Sequence, residues 1–146
     1  MSSPLSNELL EFCRSDSLSE KGLRQIIERH KCQPNNHHVG NYKFFRAACS
    51  NDLLTEKIIR CLLEYSPAAA RSTGSNGQQP LHCVCRNPNV SLKIIRLLID
   101  AAPDSVRSED KYGNMPLHNS CKTKALDSAA AIEILELLIE KCPAAH

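Results

Sequence analysis

Apolar residues recur along this chain in pairs of short bursts. Leu9, Leu10, Phe12 and Cys13 make one apolar face, and Leu23, Ile26 and Ile27 make a second. Both have the i, i+3, i+4 spacing of a helix buried on one side. A shift of 36 residues lays Leu9, Cys13, Leu23, Ile26 and Ile27 over Phe45, Cys49, Ile59, Leu62 and Leu63. The same shift carries Phe45, Cys49, Ile58, Ile59 and Pro67 onto Leu81, Cys85, Ile94, Ile95 and Pro103. It then carries Leu81 and Cys85 onto Leu117 and Cys121, after which four extra residues precede the last burst. Self-similarity at such a period marks a solenoid, in which each helix–turn–helix unit buries its apolar face against its neighbours. The expected fold is therefore all-α: one domain over 1–146, with units near 5–34, 37–70, 71–106 and 107–146.

Local signals bound the helices. Ser17 and Glu20 form an S-x-x-E capping box, and Ser19, Thr55 and Ser91 are equivalent cap candidates. Helices are predicted over Lys43–Ser50, Thr55–Tyr65 and Leu92–Ala101, with others starting at Pro80 and Pro116, where the missing amide costs nothing. Pro67, Pro103 and Pro143 stop the second helices, and Gly74–Gly77 and Asp110–Gly113 are turns with short hairpin-like connections. The insertion lies in Lys122–Glu140 and either lengthens a loop or adds a helical turn. The first unit has no preceding hairpin and carries Glu8, Glu11 and Arg14 on its first helix, traits of a polar capping repeat.

Composition narrows the function classes. A net charge of +2 gives little electrostatic pull on nucleic acid or anionic lipid, and without Trp and with 4% aromatic residues there is no base-stacking platform. No apolar run reaches the roughly 18 residues of a membrane span, and the first residues lack the basic start and apolar core of a secretory signal. An intracellular site, cytoplasm or nucleus, is expected. The 8 cysteines fit that setting. Cys13, Cys49, Cys85 and Cys121 share one register, and stacked helices about 8–10 Å apart leave neighbours too distant for the roughly 7 Å Cα separation of a disulfide. They are expected to be buried core thiols, with Cys32, Cys61 and Cys142 also free.

Gly77-x-x-Pro80-Leu81-His82 and Gly113-x-x-Pro116-Leu117-His118, each followed by a helix, a loop and an Ile/Leu-rich helix, resemble the ankyrin repeat. The resemblance covers about Leu5 to Ala145 and is looser in the first two units, where Phe44-Phe45-Arg46 stands in place of Pro-Leu-His. Gln79 and Met115 replace the family's Thr, and the period of 36 exceeds its usual 33. The resemblance implies that the motif His is structural, bonding to backbone in the neighbouring unit, and that the turn tips and first helices line a concave groove.

Candidate chemistry is sparse. His82-x-x-Cys85 and His118-x-x-Cys121 put two metal-ligand types on one helix face, but Cys83-Val84-Cys85 splays its thiols and no C-x₂-C knuckle is present. His37-His38 reads as a solvated loop pair. There is no phosphate-binding Gly loop, carboxylate dyad or Ser-His-Asp set, so neither catalysis nor a cofactor is expected. Lys21, Lys57 and Lys93, with Arg24, Arg60, Arg96 and acids four residues away, describe a solvated outer face held by weak i, i+4 pairs.

The expected function is a protein–protein interaction module whose groove holds a partner. The candidate contacts are Tyr42, Lys43, Ser50 and Asn51; Ser75, Asn76, Gln78, Arg86 and Asn87; and Lys111, Tyr112, Asn114, Lys122 and Thr123. None is required by the fold on this reading, and Lys43, Arg86, Lys111 and Lys122 point to a partner with an acidic segment. The alternative is end-to-end self-association, or extension as part of a longer array, through an apolar last unit exposing Ile134, Leu138 and Ile139. A metal- or thiol-sensing unit is a weaker rival.

Overall fold

The computed structural model describes residues 4–30, 42–122 and 128–141. Among the described residues eight α-helices follow one another: α1 (Pro4–Arg14), α2 (Glu20–His30), α3 (Lys43–Cys49), α4 (Glu56–Tyr65), α5 (Pro80–Arg86), α6 (Leu92–Ala101), α7 (Pro116–Lys122) and α8 (Ser128–Glu140). They pack as pairs in two layers. The first helices stack α1 on α3, α3 on α5 and α5 on α7, and the second helices stack α2 on α4, α4 on α6 and α6 on α8. No strand occurs among the described residues.

The repeated apolar positions form one continuous interior. Leu9, Phe45 and Leu81 are fully buried at one register, Leu23, Ile59 and Ile95 at another, and Cys13, Cys49 and Cys85 at a third. The first pair exchanges large for small. Ile58 and Ile94 occupy the position held in α2 by Gly22, and the space above Gly22 is filled by the ring of Phe12, which stands where α3 has Ala48. Gln25 is exposed where Cys61 and Leu137 are buried, so the outer side of the first pair is polar as a cap requires.

Caps follow the local chemistry with one correction. Thr55 accepts from the Ile58 amide at 3.2 Å and Ser91 from the Ile94 amide at 3.3 Å. In the first unit Ser19, not Ser17, accepts from the Gly22 amide, at 3.1 Å, and α2 starts at Glu20. Ser17 instead donates its own amide to Ser15 Oγ, so the Ser17–Glu20 box does not form. Pro67 and Pro103 do more than stop a helix. Each opens a 3₁₀ turn, Pro67–Arg71 and Pro103–Arg107, because proline fixes φ at a helical value while unable to donate to the preceding helix. These turns bury Ala69, Ala70, Ser105 and Val106 and bring the chain back toward the first-helix layer.

The insertion in the last unit lengthens its second helix. α8 has 13 residues against 10 in α4 and α6. Ile134 and Leu138, expected at an open end, are instead buried, because they hold the register of Ile94 and Leu98 facing the interior. The exposed apolar residues of α8 are Ile132 and Ile139.

Three kinds of polar contact lock neighbouring units. Asn51 Nδ2 donates to Cys13 O at 2.9 Å and Ser15 O at 2.8 Å. One unit later Asn87 Nδ2 donates to Cys49 O and Asn51 O, both at 2.9 Å. His82 Nε2 donates to Asn114 O at 2.9 Å, while its Nδ1 accepts from the Gln79 amide at 3.2 Å. The family's inter-unit histidine bond thus persists with Gln79 in place of Thr, although Gln79 Oε1 is left buried without a partner. Finally, the Lys111 amide donates to Asn76 O at 2.9 Å, joining the two hairpin tips. Both tips need glycine: Gly77 and Gly113 have φ of +80°, in the left-handed region.

Candidate functional site

An open cleft of about 780 Å³ runs along the exposed side of the first helices. Arg14, Ser15 and Asp16 close it at the end of α1, and Lys43, Arg46, Ala47 and Ser50 line it from α3 and its end. Asn51, Asp52 and Leu53 follow, and Asn76, Gln78, Cys83 and Arg86 form the remaining wall. Four cations face two carboxylates, so the cleft carries a positive surplus.

Lys43, Ser50, Asn51, Asn76, Gln78 and Arg86 are the sequence candidates that this cleft brings together. Tyr42, Ser75, Asn87, Lys111, Tyr112 and Asn114 are not part of its wall. Thr123 lies outside the described residues, as do the side chains of Lys122 and Cys121, and so do His37, His38, Cys32, Cys142 and Pro143.

The expectation that no candidate is needed by the fold is overturned. Asn87 is 3% exposed, and its amide is consumed by the preceding unit's carbonyls. Asn51 serves the same purpose one unit earlier. Asn76 Oδ1 accepts from the Gln78 amide at 3.3 Å and shapes the hairpin. Asn114 receives the His82 bond through its backbone carbonyl. Tyr42 is half-buried, its ring edge-on to Phe44 at 6.3 Å between centroids. Tyr112, by contrast, is 68% exposed on its hairpin tip, with Lys111 Nζ 5.4 Å from its ring centroid.

Arg14, Asp16, Arg46 and Asp52 are cleft residues that sequence reasoning missed. Arg14 was within reach, since it holds the register of Ser50 and Arg86. Arg46 was hidden by its register, which is that of the buried His82. Like His82 it reaches toward the next unit: its Nη1 donates to Ser72 Oγ at 2.8 Å.

The groups suggestive of chemistry are occupied structurally. Both ring nitrogens of His82 are engaged, and burial holds its pKa below the usual value. Burial pushes the thiols of Cys13 and Cys85 up to about 12 and that of Cys49 well above the ordinary value, which suppresses the nucleophilic thiolate. Among the described residues no group of three or more His, Cys, Asp or Glu could hold a metal, and no helix is long and apolar enough to cross a membrane.

The outer face of the second helices is charged and exposed. Arg24 pairs with Glu20 at 3.0 Å and reaches Glu64 of the next unit at 3.5 Å, and Arg60 pairs with Glu56 at 2.6 Å. The two pairs within a helix run back to the acid four residues earlier. At α6 that acid is replaced by Leu92, and neither Arg96 nor Asp100 has an ion-pair partner among the described residues.

A family model described as ankyrin repeats (3 copies) matches residues 44–145. No curated protein matches the chain.

Proposed function

The chain belongs to the ankyrin-repeat family, and on that premise we propose that it is a protein–protein interaction module that holds a partner's segment in the cleft along α1, α3 and α5. The observation that carries this reading is the convergence of Arg14, Lys43, Arg46 and Arg86 on one open cleft. Its positive surplus favours a partner segment with acidic character. The α1–α2 pair lies ahead of the matched residues but continues both layers of the stack, and on this reading it is the first unit of the same array, forming one domain with the rest.

The module performs no chemistry and uses no cofactor; the engaged His82 and the buried thiols support that reading. The free cysteines Cys13, Cys49, Cys61, Cys83 and Cys85 support an intracellular setting.

Pull-down from the native cell with the wild type and with Lys43→Glu/Arg86→Glu tests the cleft. Partners retained by the wild type are expected to be lost from the variant and to elute with salt, while its circular dichroism stays that of the folded helical array. An identical partner set in both would overturn the reading.

Ile132 and Ile139, 56% and 58% exposed on α8, favour weak end-to-end self-association as a second contact. Light scattering over a dilution series checks it, since a strict monomer at the highest concentration removes it.

A further inference from the structure

The two arginines of the α3 and α5 walls are each tethered to the fold. Arg86 Nη2 donates to Gln78 Oε1 at 2.6 Å, and Gln78 Nε2 donates to Asp110 Oδ2 at 3.4 Å. Asp110 Oδ1 accepts from the amides of Tyr112 and Asn114, both at 2.9 Å, so this relay ends on the backbone of the next unit's turn. Gln78 and Asp110 are 7% and 6% exposed, which places a buried amide–carboxylate contact directly behind a surface guanidinium. Arg46 has a separate tether: Ser72 Oγ, which accepts its N–H, donates to Ala69 O at 2.7 Å in the 3₁₀ turn.

An arginine already fixed by one of its five N–H groups loses little further freedom on meeting an oxyanion. Its planar fork also matches a carboxylate with two parallel bonds, which lysine cannot reproduce. We propose that Arg46 and Arg86 form a preset pair of carboxylate receptors, that Gln78 and Asp110 are positioning residues for Arg86, and that the ligand is a peptide segment carrying two acidic side chains. This rests on the interaction reading of the cleft given above. The two forks select the ligand. Arg46 and Arg86 each present one guanidinium to the cleft, which sets the number of carboxylates at two, and the cationic lining favours their charge. A longer polyanion would press its further charges against Asp16 and Asp52.

The test is fluorescence anisotropy at low ionic strength with a labelled diglutamate peptide, its glutamine counterpart and its phosphoserine counterpart. Arg46→Lys and Arg86→Lys preserve charge and lose the fork, and each is expected to weaken the diglutamate peptide about tenfold. Gln78→Leu keeps every charge lining the cleft and is expected to weaken it to a similar degree. The same substitution should merge the distinct Nη signals of Arg86 in nitrogen-15 NMR into an averaged one, a change that general loss of stability would not give. Lys57→Ala, on the second-helix face, should leave binding unchanged. Wild-type affinity in both Lys variants would overturn the pair, and so would equal affinity for the glutamine peptide. Wild-type affinity with unmoved Arg86 signals in Gln78→Leu would overturn the relay. Should that variant unfold, Gln78→Asn, which keeps a buried amide but draws it short of Arg86, is read in the same way. More than tenfold preference for the phosphoserine peptide would overturn the carboxylate assignment. Cleft-dependent capture of partners by a wild type that ignores all three peptides would sink this inference and leave the interaction reading standing. Loss of cleft dependence would sink both.

Discussion

Gly22 lies directly beneath the ring of Phe12, whose Cζ would stand 2.3 Å from any side chain's first carbon at position 22. One unit later the same two positions are Ala48 and Ile58, both buried. The pair shares a fixed volume and divides it in opposite ways. Phe12→Ala should therefore cost about 2–3 kcal/mol through the cavity it leaves, and Gly22→Ile should cost at least as much through overlap. The double variant copies the second unit and should be more stable than either single one, with a coupling above about 1 kcal/mol in urea unfolding. Simple additivity would show that the ring and the glycine do not share that space.

Asn87→Ala removes the donor to two carbonyls at once. Leaving Cys49 O and Asn51 O without it is expected to cost about 2–4 kcal/mol. Asn51→Ala should cost less, since Asn51 is half-exposed and water can reach the carbonyls it leaves. Denaturant unfolding of the two variants gives the comparison, and a neutral Asn87→Ala would remove the contact from the account of the stack.

The two hairpin glycines should differ. Gly113→Ala meets only the Glu109 side chain, at 3.6 Å, and should cost about 1–2 kcal/mol for left-handed backbone. Gly77→Ala adds a clash with the Lys111 backbone nitrogen at 2.9 Å and should cost about 3 kcal/mol or more. Equal costs in urea unfolding would mean that neighbouring tips do not touch.

Acid should weaken the fold in two stages. Burial lowers the His82 pKa below 6.5, although its bond to Asn114 opposes this. In the unfolded chain His82 takes up its proton first, so the contribution it makes above pH 6.5 is lost as pH falls toward the lower folded value. Asp110 has the same sign. Hydrogen bonds from the Asn114 and Tyr112 amides, the first being the larger cause, hold it below 3.8, and its contribution fades as pH falls from there. Melting temperatures of wild type and His82→Gln between pH 7.5 and 5 check the first stage. The variant's slope should be shallower, and equal slopes would exclude His82.

The helices were legible in the sequence wherever the signal is local. Pro80, Ser91 and Pro103 place α5 and α6 to the residue, because caps and prolines act through the atoms next to them. Ser17 and Ser19 carry the same chemistry two residues apart, and only the shared register of Ser19, Thr55 and Ser91 decides between them. The 3₁₀ turns went unseen because a proline that ends one helix is also a good first residue for another. The site was less legible. Asn87 resembles an ordinary loop residue until the loop 36 residues earlier is laid beside it, and Arg46 shares a register with a buried histidine. Where a side chain is shared between units, one unit's sequence cannot disclose its task.

The side-chain clasps of Asn51 and Asn87 both point backwards. Asn51 grips the unit before it, Asn87 grips the unit of Asn51, and Ser15 at the same register donates instead to Phe12 O inside its own helix. The second and third units therefore each bring the clasp that fastens their elder, as a zip closes tooth by tooth. On the ribosome the order of synthesis and the order in which these two clasps become available coincide.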